Sequence, residues 1–214
     1  MGVDRAAGRY ITVEGPIGVG KTALARRLAN EFGVPLILEQ GDDNPFLRRF
    51  YEEPRKYAFQ AQLFFLLERY RQQQDLGGNE AGAVADYLFA RDAIFAAVTL
   101  EADELALYNQ VYTLLGSRIR KPDLVIYLEA RPDVLLRRIR KRDRDFERDI
   151  SPLYLERLTE AFRAFFHQYT EAPLLVINCS DIDFVEHGRD LADLIREIRS
   201  MERGVQHYIP LGSR

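Results

Sequence analysis

One glycine-rich segment constrains this chain more than any other feature. The run GPIGVGKT follows an apolar segment at residues 10–14 and precedes a segment that predicts a helix, Lys21–Phe32. Glycines adopt backbone angles that other residues resist, so successive N–H groups can turn inward around phosphate oxygens. The lysine adds a positive charge, the threonine can ligate Mg²⁺, and a helix N-terminus favours an anion. We interpret the run as a P-loop for the phosphates of ATP, formed by Gly15, Pro16, Ile17, Gly18, Val19, Gly20, Lys21 and Thr22.

Five short apolar segments predict the buried strands of one sheet. They occupy residues 10–14, 35–39, 82–86, 123–128 and 174–178. Helical segments separate them, among them residues 54–74 and 132–141, the second with Pro132 in its first turn. This alternation is typical of a parallel sheet with helices on both faces. We therefore predict an α/β protein with a five-stranded parallel sheet flanked by helices, in a single domain over residues 1–214.

Composition narrows the possible environments and partners. A net charge of −3 argues against a nucleic-acid surface, which is usually broadly basic. No apolar run approaches the roughly 20 residues that span a bilayer, and the first nine residues lack the apolar stretch of a secretory signal, so we expect no membrane partner and a cytoplasmic protein. The single Cys179 excludes an intrachain disulfide, and the three histidines do not have metal-ligand spacing.

A P-loop alone does not distinguish kinases, switches and motor ATPases, so the acceptor side must come from other residues. Glu39 ends the second predicted strand, at the sheet edge where the P-loop lies and where open α/β sheets bind ligands. A hydroxyl that attacks a γ-phosphate needs a carboxylate to accept its proton. Glu39 is therefore the candidate catalytic base, with a solvated strand-end carboxylate as the alternative.

Three longer segments carry a resemblance to a known family. The run NPFLRRFYEEPRKYAFQAQLFFLLER at residues 44–69, together with KPDLVIYLEARPDVLLRRIRKRDRDFE and INCSDIDF, resembles the deoxynucleoside kinase family, especially its bacterial purine-type members. The resemblance covers the chain from residue 10 to about 184. It implies a P-loop kinase fold that acts in nucleotide salvage, with Glu39 as the base, Tyr51 on the sugar 3′-hydroxyl, and Gln62 and Arg69 at the nucleobase. The last two are seven residues apart and so share one helix face.

The segment after the third strand departs from the family. Asp86 matches an acidic residue near Mg²⁺, so the predicted metal ligands are Thr22 and Asp86. An arginine that contacts the 5′-oxygen and phosphate normally follows, but this chain has Tyr87, which leaves Arg91 or arginines further along the chain to supply that charge. The resemblance also implies that Asp92 contacts the base and pairs with Arg69. Phe95 lies near a base-stacking position, and a core role is the alternative for it.

A basic stretch at about residues 138–150 resembles the family's arginine-rich lid over the ATP phosphates. Arginine suits this task because its planar fork binds phosphate through two hydrogen bonds. The resemblance implies catalytic roles for Lys21, Arg142 and Arg144 beside Glu39, and contact of Glu147 with the sugar. The remaining ATP-binding residues that it implies are Arg138, Arg142, Asp183 and Phe184.

Side-chain chemistry favours one set of bases. Gln62 offers one donor and one acceptor, which complement adenine or cytosine, while Asp92 would face the carbonyl O4 of thymine unfavourably. We expect a kinase that transfers the ATP γ-phosphate to the 5′-hydroxyl of deoxyadenosine, with deoxycytidine and deoxyguanosine also open and with Mg²⁺ as cofactor. The family resemblance further implies a homodimer.

Two other functions remain as alternatives. A thymidylate-kinase-like nucleoside monophosphate kinase shares the fold, but Glu39 would repel its phosphate nucleophile. A GTPase switch is the second, since the run DLGG at residues 75–78 superficially fits a DxxG element. That run follows a helical segment rather than a strand, and no NKxD motif occurs in the sequence.

Overall fold

The computed structural model contains one parallel sheet with helices on both faces. It describes residues 8–39, 43–76, 82–117, 119–144, 147, 150–181 and 188–209. The strands are β1 (Tyr10–Glu14), β2 (Leu36–Ile37), β3 (Ala83–Ala85), β4 (Leu124–Glu129), β5 (Leu174–Asn178) and β6 (Val205–Tyr208). The helices are α1 (Lys21–Phe32), α2 (Leu47–Glu52), α3 (Pro54–Leu76), α4 (Arg91–Thr99), α5 (Ala102–Gly116), α6 (Pro132–Arg142), α7 (Pro152–His167) and α8 (Gly188–Ser200).

The prediction of an α/β parallel sheet is confirmed, with six strands instead of five. Every predicted strand is present, although β2 and β3 are shorter than their apolar segments. The additional strand β6 pairs in parallel with β5. Its residues alternate between exposed and half-buried because it lies at the sheet edge, so the sequence VQHY carries no continuous apolar run.

The strand order shows where this sheet can bind a ligand. The order is β2-β3-β1-β4-β5-β6, so the chain turns to one side of β1 for β2 and β3 and to the other side for β4. Ligands of open α/β sheets bind beyond the carboxyl ends of the strands at such a switch point. The P-loop leaves the end of β1 at this point.

Local sequence sets the helix ends that border this edge. Gly20 precedes α1 with φ 106°, and Gly33 ends it with φ 64° while its N–H bonds the carbonyls of Ala29 and Asn30. Helix α6 has Pro132 at its first turn, as predicted, and is followed by Asp143, which adopts a left-handed φ of 51°. Both helices begin at the carboxyl edge of the sheet, because α1 follows β1 through the P-loop and α6 follows β4.

The core lies between the sheet and its helices. Strands β1 and β4 are buried almost throughout, which agrees with a sheet covered on both faces. On one face Tyr127 of β4 stacks on Phe166 of α7 with ring centroids 4.2 Å apart, and Phe162 packs beside them. No helix within the described ranges is both long and apolar enough to cross a membrane.

Candidate active site

A cavity of about 630 Å³ opens at the carboxyl edge of the sheet. Its wall is formed by the P-loop, the residues after β2 and β3, helices α1, α2, α3, α4 and α7, the end of α6 and the segment that follows it. The cavity brings together most of the side chains predicted from sequence. These are Ile17, Gly18, Lys21, Thr22, Glu39, Tyr51, Gln62, Arg69, Asp86, Phe95, Arg142, Arg144 and Glu147.

Other predicted residues lie elsewhere. Of the P-loop, Gly15, Pro16, Val19 and Gly20 are not among the residues that line the cavity. Asp92 and Arg138 are also outside the cavity wall. Asp183 and Phe184 lie outside the described residues.

The P-loop requires glycine at two positions for steric reasons. Gly15 has φ 151°, and a Cβ there would lie 2.3 Å from the carbonyl oxygen of Leu128 on β4. Gly18 has φ 83°, and a Cβ there would lie 2.9 Å from the carbonyl oxygen of Leu135 on α6. The loop thus packs against the neighbouring strand and helix through backbone that has no room for a side chain.

Lys21 folds back onto the loop that it follows. Its Nζ donates to the carbonyl oxygens of Gly15 and Pro16 at 2.8 and 3.1 Å. Burial and the charge of Arg91 lower the pKa of Lys21 to about 8, against the opposing effect of nearby carboxylates. The ammonium group is therefore poised at the phosphate-binding edge, where an anionic ligand would raise its pKa again.

A fully buried carboxylate, Glu14, anchors the P-loop from beneath. Its Oε1 accepts the N–H of Gly15 and its Oε2 accepts the N–H of Leu88, both at 2.8 Å. Burial raises the pKa of Glu14, and the nearby charges of Arg91 and Lys21 offset part of that rise. Sequence reasoning missed this residue, although a carboxylate at the end of an otherwise apolar strand was a usable signal.

Two oxygen-bearing side chains meet between α1 and β3. The Thr22 hydroxyl donates to Oδ2 of Asp86 at 2.5 Å, and Oδ1 of Asp86 accepts the N–H of Glu39 at 2.7 Å. A hydroxyl and a carboxylate are hard donors of the kind that Mg²⁺ prefers, and Mg²⁺ commonly takes only one or two protein ligands beside phosphates and water. The pair fits the predicted metal site.

Glu39 lies just beyond β2 and points its carboxylate into the cavity. Oε2 accepts a hydrogen bond from Nη1 of Arg91 at 2.7 Å, and Oε1 accepts one from Arg69. The side chain is 20% exposed, so Glu39 is not a solvated strand-end carboxylate. Burial alone would raise its pKa, but Arg91, Arg69 and Lys21 outweigh burial and lower the pKa of Glu39 to about 2. It is ionised at neutral pH.

Helix α3 presents Gln62 and Arg69 to the same cavity, as their spacing predicts. Gln62 is 3% exposed and Arg69 4%, so neither is an ordinary surface residue. Arg69 pairs with Oδ1 of Asp92 as well as with Glu39, and the Phe65 ring lies 5.1 Å from its guanidinium. In this structure Asp92 therefore contacts Arg69 from behind the cavity wall, and its predicted contact with a base remains a prediction.

Aromatic side chains also line the cavity. Tyr51 lies beside Phe50, with ring centroids 5.1 Å apart, and Tyr154 of α7 packs on Phe50 at 6.1 Å. Burial raises the pKa of Tyr51, as do Tyr154 and Glu147, so its phenol remains a hydrogen-bond donor at neutral pH. Tyr154 was not predicted, because nothing in the segment SPLYLERLTE marks it as a site residue.

Tyr87 lies in the core instead of the cavity. It is completely buried and does not appear in the cavity wall, and the Arg69 guanidinium lies 5.7 Å from its ring. Phe95 lies at the wall, where it packs edge-to-face on Phe162 at 5.8 Å. The residue at position 87 thus supports Arg69 and supplies no charge to the cavity.

One carboxylate, that of Glu147, contacts two arginines of the predicted lid. Nε of Arg142 donates to Oε2 of Glu147 at 3.0 Å, and Nη1 of Arg144 lies 4.0 Å from Oε1 of the same residue. Glu147 is only 6% exposed. Arg138 instead donates to the carbonyl oxygen of Cys179 at 2.9 Å and to that of Val19 at 3.4 Å, so it ties α6 to the P-loop and to the end of β5.

The fold and the site together define a P-loop phosphotransferase, with a phosphate-binding loop facing an ionised carboxylate across one cavity. The chain matches the family model described as "Deoxynucleoside kinase" over residues 11–202. This protein belongs to the deoxynucleoside kinase family.

Individual relatives agree with this membership. The chain is 36% identical over 200 residues to the deoxyguanosine kinase of Bacillus subtilis (strain 168), covering 90% of this chain and 97% of the relative. It is also 36% identical over 201 residues to the deoxyadenosine kinase of Dictyostelium discoideum, covering 91% and 81%. The solved structure of deoxyadenosine kinase from M. mycoides with bound dATP shares the fold, with a TM-score of 0.79, 23% identity, and coverage of 90% of this chain and 100% of that chain. The family resemblance read from the sequence is confirmed.

Proposed function

We propose that this protein transfers the γ-phosphate of ATP to the 5′-hydroxyl of a deoxynucleoside, with deoxyadenosine as the preferred acceptor. One observation carries the proposal: the ionised Glu39 carboxylate faces the P-loop across the cavity, with Gln62 and Arg69 on the wall beside it. A carboxylate suits a neutral hydroxyl acceptor and repels a phosphate acceptor, which disfavours the monophosphate kinase alternative.

The reaction divides between the two sides of the cavity. On the donor side, the P-loop N–H groups, Lys21, Arg142 and Arg144 hold the ATP phosphates and stabilise charge on the leaving ADP. On the acceptor side, Glu39 orients the 5′-hydroxyl and accepts its proton. The 5′-oxygen forms a bond to the γ-phosphorus as the bond from that phosphorus to the bridging oxygen of ADP breaks.

The low pKa of Glu39 is compatible with this role. Phosphoryl transfer passes through a loose transition state in most analyses, so the attacking hydroxyl gives up its proton late, and a well-oriented carboxylate of low basicity is sufficient to accept it. A carboxylate fixed between Arg69 and Arg91 meets that requirement.

Mg²⁺ is part of the proposal. Thr22 and Asp86 would hold it, and when bound with ATP it would neutralise charge on the phosphate oxygens. Because Asp86 also accepts the N–H of Glu39, the same residue links the metal ligands to the acceptor side.

We assign nucleoside recognition to the part of the cavity wall formed by α2, α3, α4 and Glu147. Tyr51 and Glu147 would hold the sugar 3′-hydroxyl, and Gln62 would pair with the base while Arg69 and Phe95 enclose it. Gln62 can donate to adenine N1 and accept from its N6 amine. The two named relatives are a deoxyguanosine kinase and a deoxyadenosine kinase, and Gln62 also complements cytosine, so deoxyguanosine and deoxycytidine are the further candidates.

A substrate panel tests the proposal. Purified protein, labelled ATP and Mg²⁺ are incubated with each of the four deoxynucleosides and their monophosphates. Deoxyadenosine should give the highest kcat/KM. Faster phosphorylation of thymidine would refute the base assignment, phosphorylation of monophosphates alone would favour the rival kinase, and strict preference for GTP would favour the switch.

A matched pair of variants tests the base. Glu39→Gln should abolish turnover while ATP binding persists, because the amide cannot accept the proton. The control Glu53→Gln changes a carboxylate that is 58% exposed and outside the cavity, and it should retain wild-type turnover. Retained turnover in Glu39→Gln would remove Glu39 from this role.

A homodimer and a cytoplasmic location complete the proposal. Leu67 of α3 and Leu107 and Leu114 of α5 are exposed by 39, 51 and 75%, which supports packing of a second copy on these helices. Light scattering should give twice the chain mass, and Leu114→Glu should shift it toward the monomer. A monomeric wild-type protein would contradict this part.

A further inference from the structure

Arg91, the first residue of α4, is a buried cation at the wall of the cavity. It is 6% exposed, yet its side chain lines the space between the P-loop and the nucleoside wall. A charge at such a depth is costly unless partners or a ligand compensate it. Its position and burial therefore call for a specific role.

Only some of the N–H donors of this guanidinium have a hydrogen-bond partner among the described residues. Nη1 donates to Oε2 of Glu39 at 2.7 Å. Nε lies 3.9 Å from Oε1 of Glu14, beyond hydrogen-bond distance, and has no hydrogen-bond partner among the described residues. The centroid of the Phe95 ring lies 4.7 Å from the guanidinium carbon, so the ring covers one side of the group. Arginine has five N–H donors in a rigid fork, so donors remain for a ligand in the cavity.

The other cations of the cavity have different positions. Lys21 is tied to the P-loop carbonyls and Arg142 to Glu147 in the lid, while Arg69 is shared between Asp92 and Glu39. Tyr87, directly after Asp86, is buried away from the cavity and brings no charge. Two buried arginines thus contact the base, and of these Arg91 is the one that also lies beside Glu14, the carboxylate that anchors the P-loop.

We propose that Arg91 is a catalytic residue that holds Glu39 with one N–H and donates another to the oxygens of the transferring phosphoryl group. This inference rests on the proposed function. Negative charge spreads over those oxygens as the 5′-oxygen attacks and ADP leaves. A fixed guanidinium in a site that excludes water stabilises such charge strongly, because it needs no reorganisation at the moment of reaction.

Arg91 also connects the start of α4 to the P-loop through Glu14. Arg91 lies near Glu14, which binds the N–H groups of Gly15 and Leu88. The base, the cation and the phosphate loop thus share one buried network. The cation that acts on the phosphoryl group comes from the start of α4 and not from the position directly after Asp86.

Steady-state kinetics of Arg91 variants test the inference. Arg91→Met should lower kcat by about 10²- to 10³-fold, the loss typical of one removed transition-state donor. The KM for the deoxynucleoside should change only a few-fold, because the interaction forms with charge that develops later. Arg91→Lys should recover only part of kcat, since an ammonium cannot hold Glu39 and a phosphoryl oxygen in one plane. The control Arg71→Met alters an arginine that is 72% exposed on α3 and should match wild type.

Chemical rescue separates this role from a structural one. Millimolar guanidinium should restore part of kcat to Arg91→Ala in a saturable manner and should leave Glu39→Gln inactive. Far-UV circular dichroism and thermal unfolding establish that each variant is folded, and if Arg91→Ala does not fold, Arg91→Lys and Arg91→Met decide the question alone. Wild-type kcat in a folded Arg91→Met or Arg91→Lys would overturn the inference, as would a folded Arg91→Ala that guanidinium does not rescue. A wild-type protein that phosphorylates no deoxynucleoside would instead refute the proposed function.

Discussion

Glu14→Gln gives a direct measure of how much the buried network beneath the P-loop contributes to stability. The carboxylate accepts the N–H of Gly15 at one oxygen and the N–H of Leu88 at the other, both at 2.8 Å and both buried. A glutamine can accept only one of them and turns an NH₂ donor toward the other. Each buried donor left without a partner costs about 1–3 kcal/mol.

An opposing effect reduces this cost. Burial raises the pKa of Glu14, which means that the folded protein carries its negative charge at a penalty that the neutral amide avoids. We therefore expect Glu14→Gln to lower the free energy of unfolding by about 2 kcal/mol. For a chain of this length that corresponds to a fall in Tm of about 4 to 8 °C.

Urea denaturation followed by circular dichroism measures this change. The slope with denaturant should stay constant, so that the midpoint alone moves. Glu31→Gln is the matched control, because Glu31 is 43% exposed and its ion pair with Arg199 lies at the surface, where such pairs contribute about 0–1 kcal/mol. A Glu14→Gln protein as stable as wild type would refute the reasoning, because it would mean that the two N–H groups do not depend on the carboxylate.

Three further predictions concern the same fold. Gly15→Ala should weaken ATP binding measured by calorimetry and cost at least about 1–3 kcal/mol of stability, because its Cβ would lie 2.3 Å from the Leu128 carbonyl oxygen; unchanged binding would contradict the close approach. Burial raises the pKa of Cys179 to about 12, so a thiol reagent at about pH 8 should modify the protein only after unfolding in urea, and fast modification of the native protein would show that the thiol is accessible. The pKa of Glu39, lowered to about 2 from an ordinary 4.5, means that its ion pairs stabilise the fold above the ordinary value and lose that contribution as pH falls through the lower one. Wild type should therefore lose up to about 3 kcal/mol more than Glu39→Gln between about pH 5 and about pH 2, and equal losses would refute the lowered pKa.

Local patterns in the sequence determined the strands of this protein, its phosphate-binding loop and two of its cavity residues. Apolar runs predicted β1 to β5, and the glycine run at the end of β1 placed the phosphate site at the switch point of the sheet. Helical spacing alone placed Gln62 and Arg69 on one face, and both line the cavity. These features depend on neighbours within a few residues, so the sequence suffices to predict them.

Contacts between distant segments decided which partners the buried charged residues have, where Tyr87 lies and how the sheet ends. Arg91 meets Glu39 across 52 positions of sequence, and Glu14 binds the N–H of Leu88 across 74. Asp92 pairs with Arg69, as the family resemblance implies, but Tyr87 turns into the core, a position that the sequence left open. The edge strand β6 is recognisable only from its pairing with β5.

The physical reason is the same in each case. A buried charge takes its partner from whatever group the packed fold brings within reach, and no local periodicity encodes that choice. The P-loop could therefore be located from eight consecutive residues, whereas the charged network that surrounds it, with Arg91 beside the base, exists only where α3, α4 and the carboxyl ends of β1 and β2 converge.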